Sequence, residues 1–158
     1  MTEQTIVSLF QQDHRELDQV LDQYRHVKQS DVRVAKDSFK RFLTGLQRHI
    51  VWEEQLLFPI WERKSGMTGG GPTHVMRLEH RRIADLLNAI HEKIQAGDID
   101  TEEEERQLVE LLASHNMKEE RILYPAIDQI VSAEERAGLF QAMKDLPEER
   151  YQTCCEGA

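Results

Sequence analysis

Residues 49–60 read His-Ile-Val-Trp-Glu-Glu-Gln-Leu-Leu-Phe-Pro-Ile, and residues 115–126 read His-Asn-Met-Lys-Glu-Glu-Arg-Ile-Leu-Tyr-Pro-Ala. These two stretches are 66 positions apart, and each carries a His and a Glu four residues apart among apolar residues. That spacing places both polar side chains on one face of a helix. The same displacement relates Asp13-His14-Arg15 to Glu79-His80-Arg81. The recurrence predicts two copies of one helical hairpin.

The apolar residues around these stretches recur in steps of three and four, which is typical of amphipathic helices. No window of the chain alternates with the period of two that a strand would show. Four such stripes joined by short connections predict an all-α fold, an up-down-up-down four-helix bundle with a short C-terminal fifth helix. The stripes are Ile6, Phe10, His14, Leu17, Leu21 and Tyr24; Phe39, Phe42, Leu46, His49, Glu53, Leu56 and Ile60; Met76, His80, Ile83, Leu87, Ile90 and Ile94; and Leu108, Leu112, His115, Glu119, Ile122 and Ala126.

Loop and capping residues divide the chain at the same places. Breaks between helices are predicted at Ser30-Asp31, at the glycine-rich residues 65–72 and at Gly97-Asp98, and the pair Ser132 and Glu135 forms a capping box that opens the fifth helix. Pro59 and Pro125 predict a kink or a stop in their helices, because proline lacks the backbone donor and clashes with the preceding turn. We therefore assign residues 1–147 to the bundle with its fifth helix and residues 148–158 to a mobile tail.

Composition excludes several classes of protein. The 158 residues carry a formal charge of −9, which disfavours a broad nucleic-acid or anionic membrane surface. No apolar run reaches the length of a membrane span, and no secretory signal is visible at the start of the chain. The two cysteines, Cys154 and Cys155, are adjacent and close no useful loop. We expect a cytoplasmic protein that binds neither nucleic acid nor membrane.

Polar residues interrupt the apolar stripes at repeated positions, and buried polar groups are costly unless they are satisfied. In a four-helix bundle these stripes converge, so that four imidazoles and two carboxylates meet at the centre. The group consists of His14, His49, Glu53, His80, His115 and Glu119. Such a set predicts a di-metal centre, and imidazole and carboxylate ligands without thiolate suit iron, with manganese or zinc as alternatives. A hydrogen-bonded core histidine is the competing interpretation for any one of these positions, but the repeat of the whole set favours metal.

The other three of the seven histidines do not follow the repeat in the same way. His26 corresponds to Glu92 and is expected in solvent, His74 at a helix start is expected at the surface, and His91 is expected to be structural. The acidic run 102–105 is interpreted as a solvated helix start.

The four predicted helices carry, in order, a lone His, His-x-x-x-Glu, Glu-His and again His-x-x-x-Glu. This combined pattern resembles the hemerythrin-like, or HHE cation-binding, domain over about residues 5–130. The resemblance implies a bundle that carries a non-haem di-iron centre. It also implies that His14 and His49 bind one iron, that His80 and His115 bind the other, and that the two glutamates bridge them.

Two positions depart from the oxygen-carrying members of that family. Those proteins have His-x-x-x-His on the third helix, whereas the residue four before His80 is Met76; whether Met76, His74 or solvent fills that place is left open. They also use aspartate where this chain has Glu119. The six-residue set is closer to the bacterial repair-of-iron-centres proteins, which carry an additional N-terminal cysteine-containing region.

Three functions follow as hypotheses. The first is a di-iron protein that binds or senses oxygen, nitric oxide or peroxide, or holds iron. The second is an oxidoreductase that acts on peroxide or nitric oxide or repairs iron–sulfur clusters, because six ligands leave coordination positions open on two metals. The third is a redox-silent structural metal site. The oligomeric state and the role of Cys154 and Cys155 are left open.

Overall fold

A computed structural model of the chain describes residues 3–151, and within that range the structure is helical and contains no strand. None of its helices is both long and apolar enough to cross a membrane. The helices are α1 (Ile6–Val27), α2 (Val32–Val51), α3 (Phe58–Ser65), α4 (Gly71–Gln95), α5 (Glu102–Lys118), α6 (Tyr124–Ile130) and α7 (Ala133–Asp145), with π-helical segments at Trp52–Leu57 and Glu119–Leu123 and a 3-10 turn at Glu148–Arg150.

Helix boundaries lie where the sequence predicts them. The Asp31 side chain accepts a hydrogen bond from the backbone N–H of Val34 at the start of α2. The capping box at Ser132 and Glu135 is confirmed, with both reciprocal hydrogen bonds present. Gly66 ends α3 in the left-handed region at φ 75°, a conformation that glycine adopts without steric cost. Local hydrogen bonding therefore sets the lengths of the helices.

The two repeated prolines do not interrupt their helices. In each case the backbone changes from α to π hydrogen bonding just before the proline, so that Phe58 N–H donates to Glu53 O and Tyr124 N–H donates to Glu119 O. A π segment is a known way for a helix to absorb an extra residue, and it is frequent at functional sites. Residues 32–65 and 102–130 consequently form two continuous helical rods.

The π segments shift the buried face by one residue, which corrects the predicted stripes. Ile122 was predicted to be buried, but 62% of its surface is exposed, and Leu123 is buried in its place. In the rod of residues 32–65 the equivalent shift buries Leu57, and it leaves Leu56, which the stripe places in the core, half-buried. A strict period of 3.6 residues cannot anticipate this change, because a π turn contains more residues than an α turn.

The rods pack as a helical bundle, with α1 along α2 and α4 along α5. Its apolar core has two parts, one centred on Tyr24, Phe39 and Leu87 and the other on Phe10, Phe58 and Ile127. The alternating up-and-down course of the rods stays a prediction. After α7, the 3-10 turn contacts α2 and Tyr151 is buried, whereas Cys154 and Cys155 lie outside the described residues.

A buried polar cluster away from the six predicted ligands joins the end of α1 to the start of α5. In the acidic run 102–105 it corrects the interpretation of Glu105, whereas Glu102 and Glu103 are exposed as expected. Glu105 is fully buried and accepts hydrogen bonds from Lys28 Nζ at 2.5 Å and from Thr101 Oγ1 at 2.5 Å. The Thr101 hydroxyl lies 2.7 Å from the Tyr24 hydroxyl. Glu105 is therefore a structural anchor, because a buried carboxylate is tolerated when it is paired and hydrogen-bonded.

Candidate metal centre

The structure brings the six sequence-predicted residues together in the interior of the bundle, between the two parts of the apolar core. None of their side chains exposes more than 4% of its surface. The contributing elements are α1 for His14, α2 and its π segment for His49 and Glu53, α4 for His80, and α5 and its π segment for His115 and Glu119. Helices place these groups rigidly, which suits a preorganised site. That they bind a metal stays a prediction.

The six side chains form two groups that share Glu119. Ligand atoms of Glu53, His80, His115 and Glu119 all lie within 4.8 Å of one another, and so do those of His14, His49 and Glu119. The imidazole rings are paired in the same way. Ring centroids are 4.6 Å apart for His14 and His49 and 4.9 Å apart for His80 and His115. The pairing of the histidines, although not the sharing of Glu53, is the pairing that the family resemblance implies.

The Nε2 atoms of all four histidines face the two glutamates. His80 Nε2 lies 3.1 Å and His49 Nε2 lies 3.5 Å from Glu53 Oε1. His14 Nε2 lies 3.3 Å and His115 Nε2 lies 3.2 Å from Glu119 Oε1. Four nitrogen atoms thus converge on two carboxylates, which are fully buried.

The other ring nitrogen of each histidine donates a hydrogen bond to a carboxylate outside this group. The pairs are His14 Nδ1 with Glu120 at 2.8 Å, His49 Nδ1 with Asp13 at 2.7 Å, His80 Nδ1 with Glu54 at 2.6 Å, and His115 Nδ1 with Glu79 at 2.9 Å. Such partners fix the ring orientation and leave Nε2 as the inward-facing atom, an arrangement typical of metal-ligating histidines.

These four outer carboxylates were not identified from the sequence, although the repeat contains them. Asp13 and Glu79 are 66 positions apart, as are Glu54 and Glu120. The signal was an acidic residue directly before the first His of each hairpin and directly after each predicted bridging Glu. Their partners could not be assigned, since each carboxylate bonds a histidine on another helix.

The centre is strongly charged in the absence of a metal. Burial disfavours the imidazolium forms, but hydrogen bonds to carboxylates outweigh it and raise the pKa of His14 to about 9 and that of His80 to about 10. Burial and the nearby charge of Glu119 raise the pKa of Glu53. Burial also disfavours the charged form of Glu119, yet His115 and the other hydrogen-bond partners bring its pKa well below the usual range. Protons on His14, His80 and His115 therefore supply positive charge that balances the carboxylates.

One buried atom of the centre is left without a partner. Glu119 Oε2 is inaccessible to solvent and makes no hydrogen bond. Burying a carboxylate oxygen unsatisfied is costly, and most buried polar atoms in proteins have a partner. Metal ions held by the two groups would satisfy this oxygen and would replace the imidazole protons. The residues therefore fit a pair of metal ions.

Tyr124 is a further polar residue of the centre that the sequence analysis missed. Its hydroxyl donates to Glu53 Oε2 at 2.6 Å and lies 3.0 Å from Glu119 Oε1. It lies 3.4 Å from His14 Nε2 and 3.3 Å from His49 Nε2. Burial and the two carboxylates raise its pKa well above the usual range. The signal in the sequence was a hydroxyl where the other copy of the repeat has Phe58.

The remaining histidines lie away from this centre. His26 is exposed and its Nδ1 lies 3.0 Å from the backbone oxygen of Asp22, and His74 is exposed. His91 is half-buried on α4. Met76 is buried in the apolar core beside the centre. None of these three histidines belongs to either group of potential ligands within residues 3–151.

Comparison with known proteins gives one family. A family model described as the hemerythrin HHE cation binding domain matches residues 5–127, which contain every residue of the centre. Neither the curated proteins nor the solved structures yielded a match.

Proposed function

This chain belongs to the hemerythrin family of HHE cation-binding domains, and from that premise we propose that it is a non-haem di-iron protein. In this proposal His14 and His49 hold one iron, His80 and His115 hold the other, and Glu53 and Glu119 bridge the two. The observation that carries it is the convergence of four Nε2 atoms on two buried glutamates, with every Nδ1 atom bonded to a carboxylate.

Iron is favoured by the chemistry of the donors. No thiolate is present among the six side chains, and imidazole with carboxylate suits iron, with manganese and zinc as alternatives. Four neutral imidazoles and two carboxylates contribute two negative charges, so a pair of divalent ions is partly neutralised within the bundle. The outer carboxylates Asp13, Glu54, Glu79 and Glu120 add further negative charge next to the rings.

We further propose that the centre binds or senses oxygen, nitric oxide or peroxide, or holds iron. A redox-active metal pair supplies reversible binding and electron transfer to such molecules. The chain itself selects for small ligands, because the six side chains are almost completely buried and apolar residues such as Phe10 and Phe58 surround them. The buried aromatic and aliphatic shell also keeps bulk water from the glutamates.

Metal analysis tests this function. Protein purified without added zinc or nickel and then loaded anaerobically with iron(II) is expected to hold about two irons per chain. Glu53→Ala should abolish binding of the pair, whereas Glu105→Gln, which changes an equally buried glutamate in the other polar cluster, should leave it intact. Fewer than one metal per chain, unchanged after iron loading, would contradict the proposal.

An oxidoreductase is the second candidate. Six protein donors for two metals leave coordination positions that a substrate such as peroxide or nitric oxide, or a damaged iron–sulfur cluster, would need. Stopped-flow mixing of the reduced, iron-loaded protein with each small molecule separates the candidates. A stable, reversible adduct supports binding or sensing, and repeated turnover supports an enzyme. A centre that azide cannot enter and that does not change its oxidation state supports a structural metal site instead.

A further inference from the structure

The hydroxyl of Tyr124 lies among the predicted metal-binding atoms. A phenol has one proton to donate, and Glu53 Oε2 at 2.6 Å receives it. Three further polar atoms nevertheless surround the same oxygen, namely His14 Nε2 at 3.4 Å, His49 Nε2 at 3.3 Å and Glu119 Oε1 at 3.0 Å. Tyr124 itself is fully buried.

These three distances match the spacing of ligands that share one metal. Nitrogen and oxygen ligands lie about 2.0–2.2 Å from a first-row divalent ion, so two ligands at right angles to each other are about 3 Å apart. The atoms around the Tyr124 oxygen are the predicted donors of the first iron and one bridging carboxylate. The phenol oxygen therefore lies where another ligand of that metal would lie.

The other half of the centre has no such group. The residue that corresponds to Tyr124 in the repeat is Phe58, whose ring stacks on His80 with centroids 5.9 Å apart and planes 8° apart. Ligand atoms of His80 and His115 lie within 4.8 Å of both glutamates. The His14 and His49 pair forms such a group with Glu119, and only His49 approaches Glu53, at 3.5 Å. The pseudo-two-fold symmetry of the repeat is broken at the metal centre by one hydroxyl.

From this asymmetry we infer that Tyr124 is a seventh protein ligand, bound through its phenolate oxygen to the metal held by His14 and His49. The inference rests on the proposed di-iron function. Coordination replaces the O–H bond of the phenol by an O–metal bond and releases the proton, and no oxidation state changes in that step. The two metals are then chemically different, with a phenolate on one and an apolar ring beside the other.

The test uses the full chain loaded with iron(II) without oxygen and then oxidised with ferricyanide. A phenolate bound to iron(III) gives an intense charge-transfer absorption in the visible range and enhanced tyrosine ring modes in resonance Raman spectra. We expect both in the native chain and the loss of both in Tyr124→Phe at unchanged iron content. Tyr24→Phe changes a tyrosine that is equally buried in the other part of the core, and it should keep both signals.

Two outcomes would overturn the inference while leaving the di-iron function in place. One is a native chain with two irons and no tyrosine modes, and the other is persistence of those modes in Tyr124→Phe. If Tyr124→Phe does not fold, ring-deuterated tyrosine in the native chain decides, because phenolate modes shift on deuteration and modes of other ligands do not. A native chain that takes up no iron contradicts the proposed function and this inference together.

Discussion

His80 donates a hydrogen bond through Nδ1 to Glu54, at 2.6 Å, while its Nε2 lies 3.1 Å from the adjacent Glu53. One imidazole is thus held by two consecutive glutamates on another helix. Successive residues of an α-helix point about 100° apart, and both glutamates belong to the π segment that follows α2. The outer carboxylate orients the ring, and the inner one is the predicted bridge between the metals.

Removing that outer carboxylate should weaken metal binding without removing a ligand. Glu54→Ala is expected to lower iron affinity by about 10- to 100-fold, the usual effect of losing the partner of a ligating histidine. Competition with a chelator measures the change. Glu120→Ala should act equally at His14, and Glu62→Ala, a glutamate that bonds Arg77 and Thr73 on α4, is the matched control. If the native chain and the three variants bound iron with equal affinity, the outer carboxylates would have no role in orienting the histidines.

The pH dependence of stability should reverse between metal-free and loaded protein. In the metal-free protein the folded pKa values of His14 and His80, about 9 and about 10, exceed the unfolded value of 6.5. Folding then takes up protons, so this contribution is complete below pH 6.5 and is lost as the pH rises through 9 to 10.

In the loaded protein the same imidazoles would bind metal, and they would do so in their neutral form. Its stability should instead be level above pH 6.5 and should fall below that value, where the unfolded chain takes up protons. Urea unfolding across the pH range measures both curves. If the free energy of unfolding of the metal-free protein instead rose between pH 6.5 and 10, that result would contradict the raised pKa values of His14 and His80.

The buried pair of Lys28 and Glu105 should contribute strongly to stability and not to metal binding. Lys28→Met leaves the fully buried Glu105 with the part-exposed Arg25 as its remaining cation. We expect the free energy of unfolding to fall by about 3 kcal/mol, the low end for a broken buried pair. The double variant Lys28→Met with Glu105→Leu should regain most of that loss. Arg106→Met, which breaks only exposed ion pairs, should cost less than about 1 kcal/mol. Chemical denaturation decides, and a Lys28→Met protein as stable as the parent would refute the assignment.

The shifted register after Glu119 predicts opposite effects at two neighbouring residues. Ile122→Gln should change the free energy of unfolding by no more than about 0.5 kcal/mol, because that side chain is mostly exposed. Leu123→Ala should cost about 2–5 kcal/mol, since it leaves a cavity in the core. Urea unfolding of the two variants compares them directly. The reverse order would show that the helix continues without the π segment.

Much of the architecture follows from local rules and was therefore predictable from the sequence. The stripes, the caps at Asp31 and Ser132 and the placement of a His and a Glu on one helix face depend only on residues within about one turn of each other. The displacement of 66 residues added the decisive information, because a chance histidine does not recur with its neighbours. These features were sufficient to predict a helical bundle and the six residues that meet at its centre.

Tertiary structure alone decided the contacts between helices. Glu120 reaches His14 across 106 positions, and Tyr124 reaches His49 across 75. Such pairings depend on the rotation and depth of one helix against another, which periodicity leaves undetermined. The two π segments altered that rotation by one residue, exposing Ile122 and turning Tyr124 toward the glutamates. The sequence by itself determined which helix faces carry the six predicted ligands, because that depends on local geometry. The packing of the rods determined what surrounds each of them, because that depends on contacts between residues far apart in the chain.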